Sequence, residues 1–116
     1  MVERSHSDYL QDILDVMQKI RAFVQGVDYE HFRKDIKTAF AVVHALEIIG
    51  EASKGIPQPV KDAYPEIPWR AMAGMRDKLI HDYFGTSLAV IWRTISEDLP
   101  AMEPFIRRMI ENSESK

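Results

Sequence analysis

Arg76, His81 and Tyr83 bring three chemically active side chains into the stretch RDKLIHDYFG, residues 76–85. An imidazole, whose ordinary pKa is about 6.5, can both accept and donate a proton at neutral pH. A guanidinium can stabilise the negative charge that develops on a phosphate. With His81 as the acid–base group and Arg76 as the charge stabiliser, the pair is chemically sufficient to cleave RNA through its own 2′-hydroxyl without a metal ion.

The helical phase of this segment separates an apolar side from a polar side. At about 100° per residue, the side predicted to face the core carries Met72, Met75, Leu79 and Tyr83. The opposite side carries Arg70, Gly74, Asp77 and His81. A polar stripe with a glycine at its centre is therefore expected to face away from the core, where the glycine lets another backbone approach closely.

Asp77 and Arg76 stand in different relations to His81. Asp77 lies one turn before His81, so its carboxylate can hold the imidazole by a hydrogen bond and raise its pKa. Arg76 lies about 140° round from His81 on an ideal helix. The two converge on one ligand if the helix loosens before Gly85, if the Arg side chain curls round, or if two copies of the helix meet across a two-fold axis.

The same residues also have a purely structural interpretation. An arginine, a histidine and a tyrosine near a helix end can cap carbonyl groups, complement the helix dipole and line an interface. On residue types and spacing alone, this interpretation stays open beside the catalytic one.

The composition narrows the classes of function. The 116 residues contain no cysteine, which excludes thiolate catalysis, disulfides and cysteine-based metal sites. A net charge of −3 argues against nonspecific wrapping of nucleic acid. There is no P-loop, no glycine-rich dinucleotide turn and no exposed-serine elbow, so no cofactor is predicted. Because neither a signal peptide nor an apolar run of about 20 residues is found, we expect a soluble, cytoplasmic protein that does not enter membranes.

Hydrophobic periodicity predicts an all-α protein. Helices are expected over about 8–25, 29–54, 68–82 and 87–111, forming an up-and-down bundle of four main helices in a single domain, residues 1–116. Ser7 or Asp8 should cap the first helix, and Thr86 or Ser87 the last. A proline-rich connector, GIPQPVKDAYPEIPW, separates the second and third helices and contains one short helical turn. The last helix should kink near Pro100, and the tail over 112–116 should fray.

A second group of polar residues lies on the second predicted helix. His44 is expected to be a core histidine rather than a ligand, while Glu47 and Glu51 follow it on the same face. The three could bind a metal ion, or the carboxylates could hold an arginine such as Arg70 or Arg76 beside a polar cleft. We take Glu51, Arg70 and Asp77 as supporting residues of the candidate site.

Taken together, these segments resemble a known family. The spacing Arg76, four residues, His81, one residue, Tyr83 is similar to the Arg-x4-His-x-Tyr signature of the HepT-like ribonuclease toxins in the HEPN superfamily. Further matching segments follow in the family's order over essentially the whole chain: YLQDIL at 9–14, IIGEAS at 48–53, IPW at 67–69, RDKLIHDYF at 76–84, IW at 91–92 and EDLPAM at 97–102.

The resemblance implies an all-helical homodimer with an interfacial cleft and a metal-independent endoribonuclease activity that leaves a cyclic phosphate end. Arg76 and His81 would be the catalytic pair, with no metal site. The protein would be the toxin of a type VII-like toxin–antitoxin pair, silenced when a minimal nucleotidyltransferase antitoxin adds AMP to Tyr83. An alternative is a non-catalytic helical dimer that binds a nucleotidyltransferase, a nucleotide or RNA phosphate.

Overall fold

The computed structural model describes residues 4–74 and 87–114, and every regular element within these ranges is a helix. The predicted all-α class is therefore confirmed. The elements in chain order are α1 (His6–Phe23), α2 (Tyr29–Phe32), α3 (Ile36–Lys54), α4 (Gln58–Asp62), α5 (residues 69–74 of the described range), α6 (Leu88–Arg93), a π-helical turn (Thr94–Asp98) and α7 (Leu99–Glu114).

Helix α1 is amphipathic and supplies one wall of the core. Its buried residues recur at helical spacing: Leu10, Ile13, Leu14, Val16, Met17 and Ile20. The cap is Ser5, not the predicted Ser7 or Asp8; the Asp8 carboxylate accepts the backbone N–H of Ser5 at 3.0 Å. This reciprocal arrangement places the acidic residue inside the first turn, where it also complements the helix dipole. The helix is followed by Gly26 in the left-handed region, at φ 73°.

The prediction of a single helix over 29–54 is wrong, because this part of the chain forms two helices, α2 and α3. Asp28 caps α2 through the backbone N–H of His31 at 2.9 Å. Asp35 caps α3 through the backbone N–H of Thr38 at 3.2 Å. An aspartate at each start satisfies an N–H that has no partner within the helix. The apolar spacing continues across the break, which is why periodicity alone predicts one helix.

Helix α3 packs its inner face against α1 and ends where two elements come very close. The buried inner face comprises Ala39, Val42, Val43, Leu46, Ile49 and Ala52. Gly55 follows the last helical residue, as predicted, and lies against the ring of Tyr9 on α1. A Cβ at position 55 would stand 2.7 Å from two ring carbons, so only glycine fits without movement of the ring.

The proline-rich connector folds into α4 and then leads into α5. The predicted short helical turn is α4, which begins after Pro57. The backbone N–H of Met72 donates to the Pro68 carbonyl at 3.0 Å, so α5 begins beside Pro68, close to the predicted start. The predicted extension of this helix over 75–82 lies outside the described residues.

The last predicted helix is divided by the π turn. The N–H of Leu99 donates to the Thr94 carbonyl, five residues earlier. Pro100 comes just after the π turn, inside a helix that continues from α6; it has no N–H to donate to the preceding turn, and the wider π turn accommodates its ring. The expected irregularity near Pro100 is this wider turn, and α7 runs on through Pro104 to Glu114.

The described part of the tail is helical, not frayed as expected. The Asn112 amide donates to the Tyr64 hydroxyl, and the Ser113 hydroxyl donates to the Ile110 carbonyl at 2.8 Å. Helix α7 also packs along α1, where Glu103 pairs with Arg21. No helix within the described ranges is both long enough and apolar enough to cross a bilayer.

Replacing Gly55 by alanine should destabilise the fold by about 1–3 kcal/mol, because the new methyl group collides with the Tyr9 ring. The matched control is Gly74→Ala on α5, where no described residue lies within 4 Å of the added carbon. That change should not destabilise the fold, because alanine has a higher helix propensity than glycine. Urea unfolding measures both, and a Gly55→Ala variant as stable as the wild type would refute the close contact.

His31 should titrate above its ordinary pKa. Its Nδ1 lies 2.6 Å from the Asp28 carboxylate, and that hydrogen bond and charge raise the His31 pKa and lower the Asp28 pKa. A raised histidine pKa stabilises the fold below the unfolded pKa and loses that effect as pH rises through the folded pKa. An NMR titration checks the shift; it should disappear in Asp28→Asn, and an unchanged His31 pKa in that variant would contradict the assignment.

Candidate functional site

The structure describes the residues on each side of the predicted catalytic motif. Arg76, Asp77, His81 and Tyr83 lie outside the described residues, whereas Glu51 and Arg70 lie within them. The roles assigned to these six residues, and the way they come together, accordingly remain predictions. What the structure specifies is how the chain is held on each side of residues 75–86.

On the N-terminal side, α5 is fixed to the core by aromatic and apolar side chains. The Trp69 Nε1 donates to the Tyr64 carbonyl at 3.1 Å, and the indole is buried. Met72 is buried, while Arg70 and Gly74 are exposed. The predicted separation of a core side from a polar side is thus confirmed for the part of this helix that the structure describes.

On the C-terminal side, Ser87 and α6 fix the chain as it returns. The Ser87 hydroxyl accepts the backbone N–H of Ala89 at 3.1 Å, which selects Ser87 among the two predicted caps. Ile91 is buried, and the Trp92 ring lies 5.0 Å from the Phe32 ring, centroid to centroid. The segment that carries the motif therefore begins and ends at positions held by core packing.

Thr94 shows how the first residue of the π turn is accommodated in the core. Its side chain is buried, and its hydroxyl donates to the Val90 carbonyl at 3.0 Å. Because that hydroxyl is satisfied locally, it is held in place instead of being free to serve as a nucleophile. The π turn therefore contributes geometry to this region and no reactive group from Thr94.

Glu51 lies at a groove between the N-terminal end of α1 and the C-terminal end of α3. The groove encloses about 520 Å³, and its lining residues carry charges of both signs: Arg4, Asp12, Glu51 and Lys54, with Tyr9, Ile48, Ala52 and Gly55. The Arg4 guanidinium lies 2.8 Å from the Asp12 carboxylate and 4.8 Å from the centre of the Tyr9 ring. The pairing with Asp12 offsets the Arg4 charge, so the groove does not present a purely basic surface to a polyanion.

His44 is exposed, so the expectation of a core histidine is wrong. Its neighbours Val43 and Ala45 are buried, which shows that His44 points away from α1. Glu47 is half-buried, and within the described ranges no three histidine or acidic side chains are arranged to hold a metal ion. The near-continuous apolar run around His44 masked the outward direction of this position.

Sequence reasoning also missed an apolar cavity behind α5. It encloses about 280 Å³ between α3, α5, the π turn and α7. Its walls include Leu46, Ile49, Met72, Leu99 and Phe105, and Glu66 and Asp98 also line it. Because these residues come from distant parts of the chain, no local pattern could have indicated the cavity.

The fold and the motif together define an all-helical protein with a conventional core and an Arg–His pair in the segment between α5 and α6. The family model described as ribonuclease HepT-like matches residues 13–109. This chain therefore belongs to the ribonuclease HepT-like family, and the resemblance seen in the sequence is confirmed.

Individual relatives support the same assignment. The chain is 54% identical over 102 residues to a protein of Thermococcus cleftensis named "Probable ribonuclease HepT", covering 88% of this chain and 93% of the relative. A Methanocaldococcus jannaschii protein provisionally named an RNase is 40% identical over the full length of both chains. A protein of Caldanaerobacter subterraneus with a similar provisional name is 40% identical over 103 residues, covering 89% of this chain and 92% of the relative. No solved structure matches.

Proposed function

We propose that this protein is a metal-independent endoribonuclease and the toxin of a toxin–antitoxin pair. The observation that carries the proposal is the family match over residues 13–109, which contains Arg76 and His81 in the spacing of the catalytic signature. The names of the relatives, which describe ribonucleases, support the substrate class.

The proposed reaction is cleavage of RNA by its own 2′-hydroxyl. His81 accepts the proton of the hydroxyl, and the oxygen attacks the adjacent phosphorus. The bond from phosphorus to the 5′-oxygen breaks, and that oxygen leaves with a proton returned by an imidazolium. The products are a 2′,3′-cyclic phosphate and a 5′-hydroxyl. Arg76 stabilises the extra negative charge on the phosphate oxygens while five oxygens surround phosphorus.

The supporting residues act on this pair. Asp77 holds the His81 ring by a hydrogen bond, and the exposed Arg70 adds positive charge on the polar side of α5. Glu51 orients a cation beside the cleft. In a homodimer the two motif helices meet across the two-fold axis, which brings the Arg76 and His81 side chains of both copies to one cleft and doubles the local positive charge.

Tyr83 is the proposed point of control. A minimal nucleotidyltransferase partner would let the phenol oxygen of Tyr83 attack the α-phosphate of a nucleoside triphosphate, with pyrophosphate leaving and AMP remaining on the tyrosine. The added phosphate would compete with RNA for Arg76, and the nucleotide would occupy space beside the cleft. The modification would therefore silence cleavage without unfolding the protein.

Arg76→Ala and His81→Ala should each reduce RNA cleavage in EDTA by about 10²-fold or more, because each removes a group that acts in the transition state. The readout is cleavage of a mixed RNA panel with analysis of the new ends. The matched control is His31→Ala, which removes an exposed histidine on α2 and should cut like the wild type.

An active His81→Ala variant would refute the mechanism, as would wild-type cleavage that stops in EDTA. If the wild type binds RNA but never cuts it, the alternative holds: the Arg–His pair grips phosphate in a non-catalytic helical dimer. Arg70→Ala should weaken cleavage less than Arg76→Ala, since Arg70 is assigned a supporting role only.

Co-production with the cognate nucleotidyltransferase should increase the intact mass of the protein by one or more AMP units and abolish cleavage. Tyr83→Phe should keep both its mass and its ribonuclease activity under the same conditions, because it lacks the phenol oxygen. Tyr64→Phe serves as the control for another tyrosine and should still be modified. An unmodified wild-type mass beside an active antitoxin would contradict the assignment of Tyr83.

A further inference from the structure

The solvent side of α3 carries more apolar surface than a solvated helix face needs. Phe40 and Ile48 are 53% and 37% exposed and lie on the side opposite the buried inner face, while Ile36, which is 71% exposed, lies at the flank of that side. Large apolar residues grouped on one exposed face, with polar side chains around them, are typical of interaction sites. The name "outer face of α3" is used below for five residues: Lys37, Phe40, His44, Ile48 and Glu51.

The outer face of α3 is symmetric about His44 in spacing and opposite in charge. Lys37 lies seven residues before His44 and Glu51 seven residues after it, each about 10.5 Å along the helix axis. Phe40 lies four residues before His44 and Ile48 four residues after it. At 100° per residue, all four fall within about 40° of the direction of His44.

We propose that a second copy of this chain packs on the outer face of α3, with the two α3 helices antiparallel and the two-fold axis passing near His44. Lys37 would then lie at the level of the partner's Glu51, and Phe40 at the level of the partner's Ile48. A two-fold contact repeats each of these pairs, so the outer face of α3 is complementary to the same face of the second copy. The inference rests on the homodimer of the proposed function and adds the outer face of α3 to the surface that forms it.

Charge argues against two other occupants of this surface, a parallel second copy and an RNA strand. A parallel pairing would place Lys37 against Lys37 and Glu51 against Glu51, and like charges in contact cost binding energy. An RNA strand would meet exposed apolar side chains and the acidic Glu47 and Glu51. Of these three occupants, the antiparallel copy is the one that matches both the apolar centre and the two charged ends.

The proposed contact also reaches the groove that Glu51 lines. Ile48 and Glu51 belong both to the outer face of α3 and to the 520 Å³ groove. The partner's Lys37 would stand at the edge of that groove and add a positive charge near Arg4. Each groove would therefore be completed by a residue of the other copy.

The first experiment is sedimentation of the full-length chain over a range of concentrations. Lys37→Glu and Glu51→Lys should each raise the dimer dissociation constant by about 100-fold, because each sets like charges against one another twice. The double variant, Lys37→Glu with Glu51→Lys, should return to within about 10-fold of the wild type, since the pairs are restored with reversed sign. The control is Lys19→Glu, the same charge change at an exposed site on α1.

The second experiment uses the absence of cysteine in the chain. His44→Cys should form an intermolecular disulfide rapidly with copper–phenanthroline in air, because the two copies of residue 44 would face each other at the axis. Lys19→Cys should stay largely uncrosslinked under the same conditions. Circular dichroism confirms that each variant is folded.

The outcomes separate this inference from the proposed function. A dimer that is unaffected by either charge reversal, with no disulfide at position 44, overturns the α3 contact and leaves the proposed homodimer in place. A wild type that is monomeric at all concentrations overturns both. Charge reversals that disrupt the dimer without rescue in the double variant overturn the antiparallel register. The ribonuclease proposal is tested apart from all of these, through His81→Ala.

Discussion

The packing of α1 against α3 is the contact on which the other described elements depend. It is the most extensive helix–helix contact among the described residues, and α7 is held in turn by α1. The inner face of α3 also forms the wall toward which Met72 of α5 and Leu99 of α7 point around the shared cavity. Removal of these apolar side chains from water is the main force that holds them together. The segments that flank the motif are thus held by a core built from α1, α3 and α7.

The sequence predicted the features that depend on neighbouring residues, such as helix caps and proline turns. It failed where an apolar residue can lie either in the core or on the surface. Gly55, Ser87 and the short turn of α4 were predictable because caps and prolines act locally. The break at Asp35 was missed because Phe32 and Ile36 keep helical spacing across it. Ile36 does not reach the core at all, being 71% exposed. Periodicity detects an apolar position but cannot distinguish a residue that packs inside its own chain from one that is left for another surface.

The candidate site was predictable to a different degree. The chemistry of Arg76 and His81 follows from residue type. The polar side of the helix predicted over 68–82 follows from its period, which Arg70 and Met72 confirm for the described residues 69–74. In the proposed dimer, however, the cleft is made by two chains. Their mutual orientation depends on surface shape and charge, and these are read from exposed fractions such as those of Phe40 and Ile48. His44 illustrates the point: its neighbours are apolar, yet its direction is set by the side of α3 that α1 covers.

The π turn over Thr94–Asp98 is equivalent to one extra residue inserted into an α-helix. The buried residues Ile91, Ile95 and Leu99 are spaced four apart, a step that drifts by about 40° on a regular α-helix but suits the wider turn. Loss of one residue here would leave the buried side of α7 in phase, because about seven residues of a regular α-helix complete nearly two full turns. The extra residue instead provides room for Pro100, whose ring would meet the carbonyl of the preceding turn on a regular helix. A deletion within the π turn should therefore disturb the backbone at Pro100, whereas a deletion inside α7 would rotate every residue beyond it by about 100°.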